Sequence, residues 1–314
     1  SSKGCHFCNI KFAHTHTGGV YYIQIRTSWK DLLTSYDGTS ISYDSIGNMI
    51  SFGSKTFTWT GRKLTNITSG SNTYTYGYNE AGIRASKTVN GTTTEYLLNG
   101  DQILAQEKNG NVMWFIYDSQ GQRVGLSYNG YDYYYIYNLQ GDVVGIMRRA
   151  TGEIVATYEY DAWGKCISVE NKEGYSIGTT NPFRYRGYYY DTESGLYYLN
   201  SRYYNPEIGR FINAEGLIDN RGLITQNLFV YCANNPVNYS DQNGNIAAWV
   251  VSGLVGGLIG GATGAITAYA TETRIPDKTK AVKIGIIYKN EKLGDKNAEK
   301  NDPYSFDVDC RFRG

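Results

Sequence analysis

The amino-acid sequence predicts an all-β protein of short hairpins, followed by one apolar helix and a short polar tail. The composition favours strands joined by glycine turns, because 31 tyrosines and 37 glycines stand against 5 prolines. A turn motif recurs through the first half of the chain, and a tyrosine-dense run follows it at 181–209. Since a lone hairpin is only marginally stable, these units are expected to join side by side into one continuous sheet.

Residues 1–35 do not share the repeat, and we expect an irregular segment that starts inside a longer polypeptide. Cysteines and histidines cluster here, at Cys5, Cys8, His14 and His16. A zinc finger separates its cysteine pair from its histidine pair by about a dozen residues, and the gaps here are shorter. The sequence therefore predicts neither a metal site nor a cofactor, and 5 scattered cysteines predict no disulfide framework.

Residues 36–180 carry the repeat, which consists of an aromatic residue, Asp or Asn, two variable residues and Gly. We interpret each copy as a hairpin turn in which Tyr ends a strand, the Asp or Asn side chain caps the turn, and Gly adopts positive φ. A missing copy near residue 97 would make the interval about twenty residues throughout. The copies lie at 43–47, 78–82, 117–121, 137–141 and 160–164, with a degenerate one at 59–62.

The tyrosine-dense run reads NPFRYRGYYYDTESGLYYLNSRYYNPEIG. Because every buried hydroxyl needs a hydrogen-bond partner, we expect strands with one packed face and one solvated face. Chain reversals are predicted at 190–195 and 204–209. In the first, the Asp191 side chain can accept a backbone hydrogen bond two residues on; in the second, Pro206 sets the turn.

At these residues the chain resembles the RHS-repeat-associated core of the RHS and YD-repeat polymorphic toxins, which are related to the teneurin shells. The matching core motif comprises Arg184, Arg186, Gly187, Asp191, Gly195, Arg202, Tyr203, Tyr204, Pro206, Gly209 and Arg210. The resemblance implies that 36–180 form part of a hollow β-shell, that 181–244 plug it, and that the polypeptide beyond is held inside. It also implies that further shell strands precede residue 1.

The resemblance further implies a function in bacterial competition, in which a secreted or cell-surface shell encapsulates and presents a variable C-terminal toxin. The implied partners are the C-terminal segment itself, the upstream strands and an immunity protein. No nucleic-acid partner is expected, because 30 Lys plus Arg are balanced by 29 Asp plus Glu. A cell-surface adhesion module that binds carbohydrate on exposed tyrosine faces is the alternative.

Residues 211–244 resemble the self-cleavage module of RHS proteins, in which paired aspartates of two Asp-Pro-x-Gly motifs cut the chain. The matching positions are Glu215 and Asp241. Two close carboxylates do not both ionise readily, so one can act as acid and the other as base. Here Glu replaces the first Asp and neither motif keeps its Pro, so turns that close the plug are the alternative. No other catalytic pairing is visible, since all 3 histidines precede residue 17.

We predict an apolar helix in the segment 245–271. Its residues 246–270 contain no charged side chain, and as a helix they are long enough to cross a hydrocarbon core. The glycine spacing is typical of helices that pack closely in lipid. These glycines are Gly253, Gly256, Gly257, Gly260, Gly261 and Gly264. Insertion into a target membrane and a linker helix kept inside the shell both stay open. The polar tail, 272–314, is too short for most enzymatic toxin domains.

Overall fold

The computed structural model describes residues 10–13, 20–23, 31–216, 227–241, 243–244 and 248–249. The cysteines and histidines of the first sixteen positions lie outside these residues, as do the polar tail and all the glycines of the predicted apolar helix.

Two short strands, β1 (Ile10–Ala13) and β2 (Val20–Ile23), pair with each other, and an antiparallel sheet of fifteen strands follows. In this sheet each strand pairs with its neighbours in the chain, so the polypeptide meanders without a crossover. The strands are β3 (Ser35–Tyr36), β4 (Thr39–Tyr43), β5 (Met49–Phe52), β6 (Lys55–Thr60), β7 (Lys63–Ser69), β8 (Asn72–Tyr78), β9 (Arg84–Val89), β10 (Thr92–Asn99), β11 (Gln102–Lys108), β12 (Asn111–Tyr117), β13 (Arg123–Tyr128), β14 (Tyr131–Tyr137), β15 (Val143–Arg148), β16 (Glu153–Tyr160) and β17 (Cys166–Asn171). The predicted all-β class is confirmed.

A second antiparallel sheet covers the tyrosine-dense run. It contains β18 (Tyr189–Asp191), β19 (Leu196–Leu199), β20 (Arg202–Asn205) and β21 (Arg210–Phe211). A helix of one turn, α1 (Ile177–Thr180), precedes it, and 3-10 turns lie at Tyr185–Gly187 and Cys232–Asn234. Both predicted reversals are confirmed, because β18 and β19 flank the first and β20 and β21 flank the second. We call the described residues of 181–244 the plug.

The start of the predicted apolar helix was wrong. Ala248 and Trp249 form strand β23 (Ala248–Trp249), which pairs with β22 (Tyr239–Ser240). The backbone of these two residues is therefore extended and paired with a neighbouring strand, where a helix was predicted. Within the described ranges no helix has the length and apolar character needed to span a membrane.

The five repeat turns are closed in the same way. In each, the Asp or Asn carboxylate or amide oxygen accepts backbone N–H groups two or four residues on, at 2.8 to 3.0 Å. The glycine has a φ between 76° and 88°, which a side chain would oppose. The predicted role of the repeat is confirmed. Other hairpins close with Asn-Gly turns of positive φ at Asn90, Asn109 and Asn129, which the sequence analysis did not single out.

The repeat aromatic has a second role, which the sequence analysis also missed. Just before this aromatic, the strand register shifts at a β-bulge in the next strand. At five bulges, a later aromatic donates a hydrogen bond to the carbonyl of the residue at which the bulge begins; one of these bulges, at Ile103, lies opposite Leu98, where the repeat aromatic is missing. These bonds are Trp59 Nε1 to Met49 O, Tyr78 Oη to Leu64 O, Tyr117 Oη to Ile103 O, Tyr137 Oη to Arg123 O and Tyr160 Oη to Val143 O, at 2.7 to 2.8 Å. In these five cases the later repeat satisfies a carbonyl of the preceding segment of the sheet.

We expect Tyr117→Phe and Tyr137→Phe each to lower the free energy of unfolding by about 1 kcal/mol, because each leaves a carbonyl in the sheet without this donor. Tyr131→Phe is the control, since this side chain is 49% exposed and its loss of a hydroxyl should cost little. Urea denaturation of the full chain measures all three variants. Equal losses for Tyr117→Phe and Tyr131→Phe would contradict this role.

The plug packs on one face of the large sheet, and aromatic rings meet across the contact. Tyr76 lies against Tyr203 with ring centroids 5.5 Å apart, and Tyr96 lies against Tyr189 at 5.4 Å. The expectation of one solvated face in the plug was wrong, because every residue of β19 and β20 is buried. The buried hydroxyls are accommodated by hydrogen bonds instead.

Candidate functional site at the plug

Three tyrosine hydroxyls of the plug bond the last repeat turn. Tyr185 Oη donates to Ala162 O at 2.9 Å, Tyr204 Oη to Trp163 O at 2.7 Å, and Tyr197 Oη to Gly164 O at 2.9 Å. The acceptors are successive carbonyls of the 160–164 turn. The plug therefore supplies hydrogen-bond donors to the carbonyls of the last repeat turn. In this respect it takes the place of a further repeat.

Asp191 joins the plug to the large sheet through a buried ion cluster. Its Oδ2 lies 2.5 Å from Arg84 Nη1, and its Oδ1 lies 2.9 Å from Lys87 Nζ. Lys87 Nζ also contacts Glu193 Oε1 at 2.8 Å. Arg84 and Asp191 are both 0% exposed, so each charge depends on the other for compensation.

The predicted turn-capping role of Asp191 was wrong. Its carboxylate is occupied by Arg84 and Lys87, whereas its backbone carbonyl closes the turn by accepting Ser194 N and Gly195 N. Burial alone would raise the pKa of Asp191, but the two cations outweigh burial and hold that pKa below its usual range. The carboxylate is therefore ionised at neutral pH.

The Arg84 guanidinium lies inside a cage of tyrosine rings that come from both sheets. Its Cζ is 4.3 to 5.8 Å from five ring centroids, a range in which cations are attracted to aromatic faces. The rings belong to Tyr76, Tyr96, Tyr189, Tyr198 and Tyr203. The Tyr198 hydroxyl also accepts the backbone N–H of Arg84 at 2.9 Å. Arg84 thus contacts the plug with both its backbone and its side chain.

The other end of the core motif contacts later repeats. Arg184 O accepts Val143 N at 3.1 Å, and Gly187 O accepts Arg123 Nη1 at 3.0 Å. Arg186 N donates to Asp142 Oδ1 at 2.9 Å. Arg84, Arg123 and Val143 are each the residue at which a bulge begins. The plug therefore follows the line of bulges across the large sheet.

The remaining core-motif residues support the plug itself. Gly195 and Gly209 have φ of 77° and 64° in their turns. Pro206 lies in the second reversal, where Asn205 Oδ1 accepts Glu207 N at 2.9 Å. Arg210 Nη1 donates to Asp31 O at 2.9 Å, and burial lowers the Arg210 pKa. The Tyr203 hydroxyl lies 2.8 Å from that of Tyr78, which ties β20 to a repeat tyrosine.

Glu215 and Asp241 converge on Arg202. Glu215 Oε2 lies 2.9 Å and Asp241 Oδ2 lies 3.3 Å from the same atom, Arg202 Nη2. Burial lowers the pKa of Arg202, and the two carboxylates oppose that shift. The structure therefore brings the two predicted acids into one site, with an arginine between them.

Asp241 also closes a turn, because its Oδ1 accepts Gly244 N at 2.8 Å. Arg202 donates from Nε to Gly244 O and from Nη1 to Leu228 O at 3.3 Å. Within the described ranges no group of His, Cys, Asp or Glu side chains is arranged to hold a metal ion. Among the tyrosines from Tyr36 onward that the structure describes, Tyr131 alone is exposed, and the adhesion alternative stays a prediction.

Sequence reasoning missed Arg84, Lys87 and Asp142, the partners of the core motif in the large sheet. A signal was present, because an arginine stands two residues after the repeat glycine at both Arg84 and Arg123. A charged side chain at a repeated position that faces a buried surface indicates a partner on another element.

The matches to known proteins cover the region that contains the large sheet and most of the plug. Residues 9–237 match the family described as Teneurin YD-shell. The tRNA3(Ser)-specific nuclease WapA of Bacillus spizizenii is 38% identical and the tRNA nuclease WapA of Bacillus subtilis 39% identical, each over 227 residues. The double-stranded DNA deaminase toxin A of Burkholderia cenocepacia is 38% identical over 93 residues, which are 30% of this chain and 6% of that protein.

Both WapA alignments cover 69% of this chain and 9% of the relative, so the chain spans about a tenth of the length of these relatives. Among solved structures, the crystal structures of TcdB2-TccC3-Cdc42 and TcdB2-TccC3-TEV superpose with TM-scores of 0.56 and 0.54. Their identities are 18% and 19%, and they cover 76% and 72% of this chain and 13% of those chains. This likeness shows a shared fold.

Proposed function

The chain belongs to the Teneurin YD-shell family, and we propose that its large sheet and plug form part of a shell that encloses and presents the C-terminal part of the polypeptide as a toxin. The observation that carries the proposal is the plug, which is anchored to the sheet by a buried ion cluster and by hydrogen bonds to successive bulges. A plug anchored in this way covers one face of the large sheet.

The relatives support a carrier role for this region. They share all or part of it, the deaminase toxin over 93 residues, while their names describe different activities, namely tRNA cleavage and DNA deamination. A region common to proteins of different activity suits a container better than an active site. We further propose that the protein acts outside the cell or at its surface, in bacterial competition. The immunity protein and the target membrane stay predictions.

If the shell encloses the C-terminal segment, this segment should be protected from protease. The lysines and arginines from Arg274 to Arg313 offer many trypsin sites. In the full chain we expect these sites to be cut at least about tenfold more slowly than in residues 250–314 fused to an unrelated folded carrier, since proteolysis follows the exposed population. Mass spectrometry of timed digests measures both rates. Equal rates in the two proteins would refute enclosure.

A second function favoured by the geometry is self-cleavage. A buried carboxylate, Asp241, and a partly buried one, Glu215, contact the same arginine, an arrangement that would let them divide the roles of acid and base. Arg202 lies between the two carboxylates and fixes the position of both. The convergence of the matched positions, Glu215 and Asp241, on one arginine supports this proposal despite the absence of the prolines.

We expect the full chain to yield a fragment boundary within 215–244 on a denaturing gel, and Asp241→Asn and Glu215→Gln to abolish it. Asp132→Asn is the control, because this carboxylate pairs with Arg149 near the surface of the large sheet. Intact chain alone at every pH tested, or a boundary that persists in both variants, would count against the acid pair.

A further inference from the structure

We propose that the peptide bond between Asn243 and Gly244 is the bond that breaks, with the side-chain amide of Asn243 as the attacking group. The proposal rests on self-cleavage as proposed above, and it adds a nucleophile and a scissile bond. Each polar atom of this peptide unit is held by a neighbouring residue of the plug.

The carbonyl oxygen of Asn243 accepts two hydrogen bonds from one residue. Ser201 Oγ donates at 2.7 Å, and the Ser201 backbone N–H donates at 3.3 Å. Two fixed donors on a carbonyl oxygen stabilise the negative charge that develops there when a nucleophile adds to the carbon. The Asn243 carbonyl carbon is therefore prepared for attack.

The leaving side of the bond is fixed as well. Gly244 N donates to Asp241 Oδ1 at 2.8 Å, and Gly244 O accepts a hydrogen bond from Arg202 Nε. Gly244 has a φ of +75°, and a Cβ at this position would lie 2.7 Å from Leu199 O. Only glycine fits there, so the leaving nitrogen stays beside the Asp241 carboxyl group.

The attacking side chain is accessible. Asn243 is exposed and lines an open cavity of about 380 Å³ together with Arg62, Asn200 and Ser201. An asparagine Nδ2 can reach its own backbone carbonyl carbon, because the attack closes a five-membered ring. Solvent in the cavity can take up the proton that the attacking nitrogen loses.

In the step, Asn243 Nδ2 bonds to the Asn243 carbonyl carbon and the bond from that carbon to Gly244 N breaks. Nδ2 releases one proton to solvent, and Gly244 N gains one that the Asp241 carboxyl group passes on from solvent, so Asp241 ends the step as it began. No oxidant, reductant or other reactant is consumed. The products are one fragment ending in a succinimide at position 243 and one beginning with the free amine of Gly244.

The test is intact-mass analysis of the purified full chain after incubation at a series of pH values. We expect fragments 1–243 and 244–314, the first lighter by one water molecule than a hydrolysis product would be. Asn243→Ala should leave the chain intact, with an unchanged circular-dichroism spectrum because the side chain is exposed. Ser201→Ala should slow cleavage by about 10²-fold, the usual effect of removing one such donor.

The chain supplies its own controls in Asn90–Gly91 and Asn129–Gly130, which lie in exposed hairpin turns. Cleavage at these steps at a comparable rate would overturn the proposal, because the Asn-Gly sequence alone would then suffice. A cut elsewhere in 215–244 with a hydrolysed end would overturn it while supporting the acid pair. Intact chain alone would refute both routes of cleavage. None of these outcomes bears on enclosure, which trypsin protection tests independently.

Discussion

Asp191→Asn is expected to lower the free energy of unfolding by about 3–5 kcal/mol, the usual cost of removing one partner of a buried ion pair. The substitution leaves Arg84, which is 0% exposed, without the carboxylate that its guanidinium contacts at 2.5 Å. The surrounding tyrosine rings attract the cation but do not neutralise it. Urea denaturation of the full chain, followed by circular dichroism, measures the loss.

Two controls separate charge compensation from simple disruption. Asp132→Asn should cost at most about 1 kcal/mol, because the Asp132–Arg149 pair is partly exposed. The double variant Arg84→Met/Asp191→Leu should be more stable than Asp191→Asn, since it leaves no buried charge unpaired between these two positions. A double variant less stable than the single one would contradict this account.

The stability that Asp191 contributes should vary with pH in a defined direction. Its pKa is held below its usual range in the folded chain, and an unfolded Asp titrates near about 3.9. The contribution is therefore complete above about pH 4 and declines as pH falls towards the folded pKa. The difference in unfolding free energy between wild type and Asp191→Asn should stay level from pH 7 to about 5 and shrink in stronger acid. A difference that shrinks between pH 7 and 5 would refute this.

Gly164→Ala is the second change with a large expected effect, about 3–5 kcal/mol. Gly164 has a φ of +85°, and an added Cβ would lie 2.4 Å from Tyr185 Cδ1. The variant must therefore displace a buried ring in addition to adopting a strained backbone conformation. The Tyr197 hydroxyl, which donates to Gly164 O at 2.9 Å, would also be disturbed. Thermal and urea unfolding of the full chain measure the loss.

Gly141→Ala is the matched control for this change. Gly141 occupies the same place in its repeat, with a φ of +88°, but a Cβ there would meet nothing within 4 Å. It should cost about 1–2 kcal/mol, the backbone strain alone. Similar losses for the two variants would show that the contact between the plug and the last turn adds little to stability.

The sequence predicted the large sheet well because the information for it is local. Each repeat turn is set by an Asp or Asn and a Gly within five residues, as in 117–121 and 137–141. Lateral pairing of successive hairpins then follows from the meander. The sequence also placed Glu215 and Asp241 as a pair, and the structure brings both to Arg202. Their action on the chain stays a prediction.

The contacts of the plug escaped prediction because they join distant parts of the chain. Arg84 and Asp191 are 107 positions apart, and no short motif marks them as partners. The solvated face expected for β19 and β20 was wrong for a similar reason. Their hydroxyls find acceptors in a repeat turn, such as Gly164 O and Trp163 O, that only the folded chain brings near.

The hydrogen bonds from the aromatic side chains to the preceding bulges all run in one direction along the chain, from a later segment to an earlier one. Tyr137 satisfies a carbonyl of the strand that begins at Arg123, and Tyr160 does the same for the strand that begins at Val143. In these pairs the donor always belongs to the later segment, so the carbonyl at each bulge is satisfied only when the next part of the chain has joined the sheet. Beyond the last repeat, the tyrosines of the plug supply the donors that a further repeat would otherwise have provided.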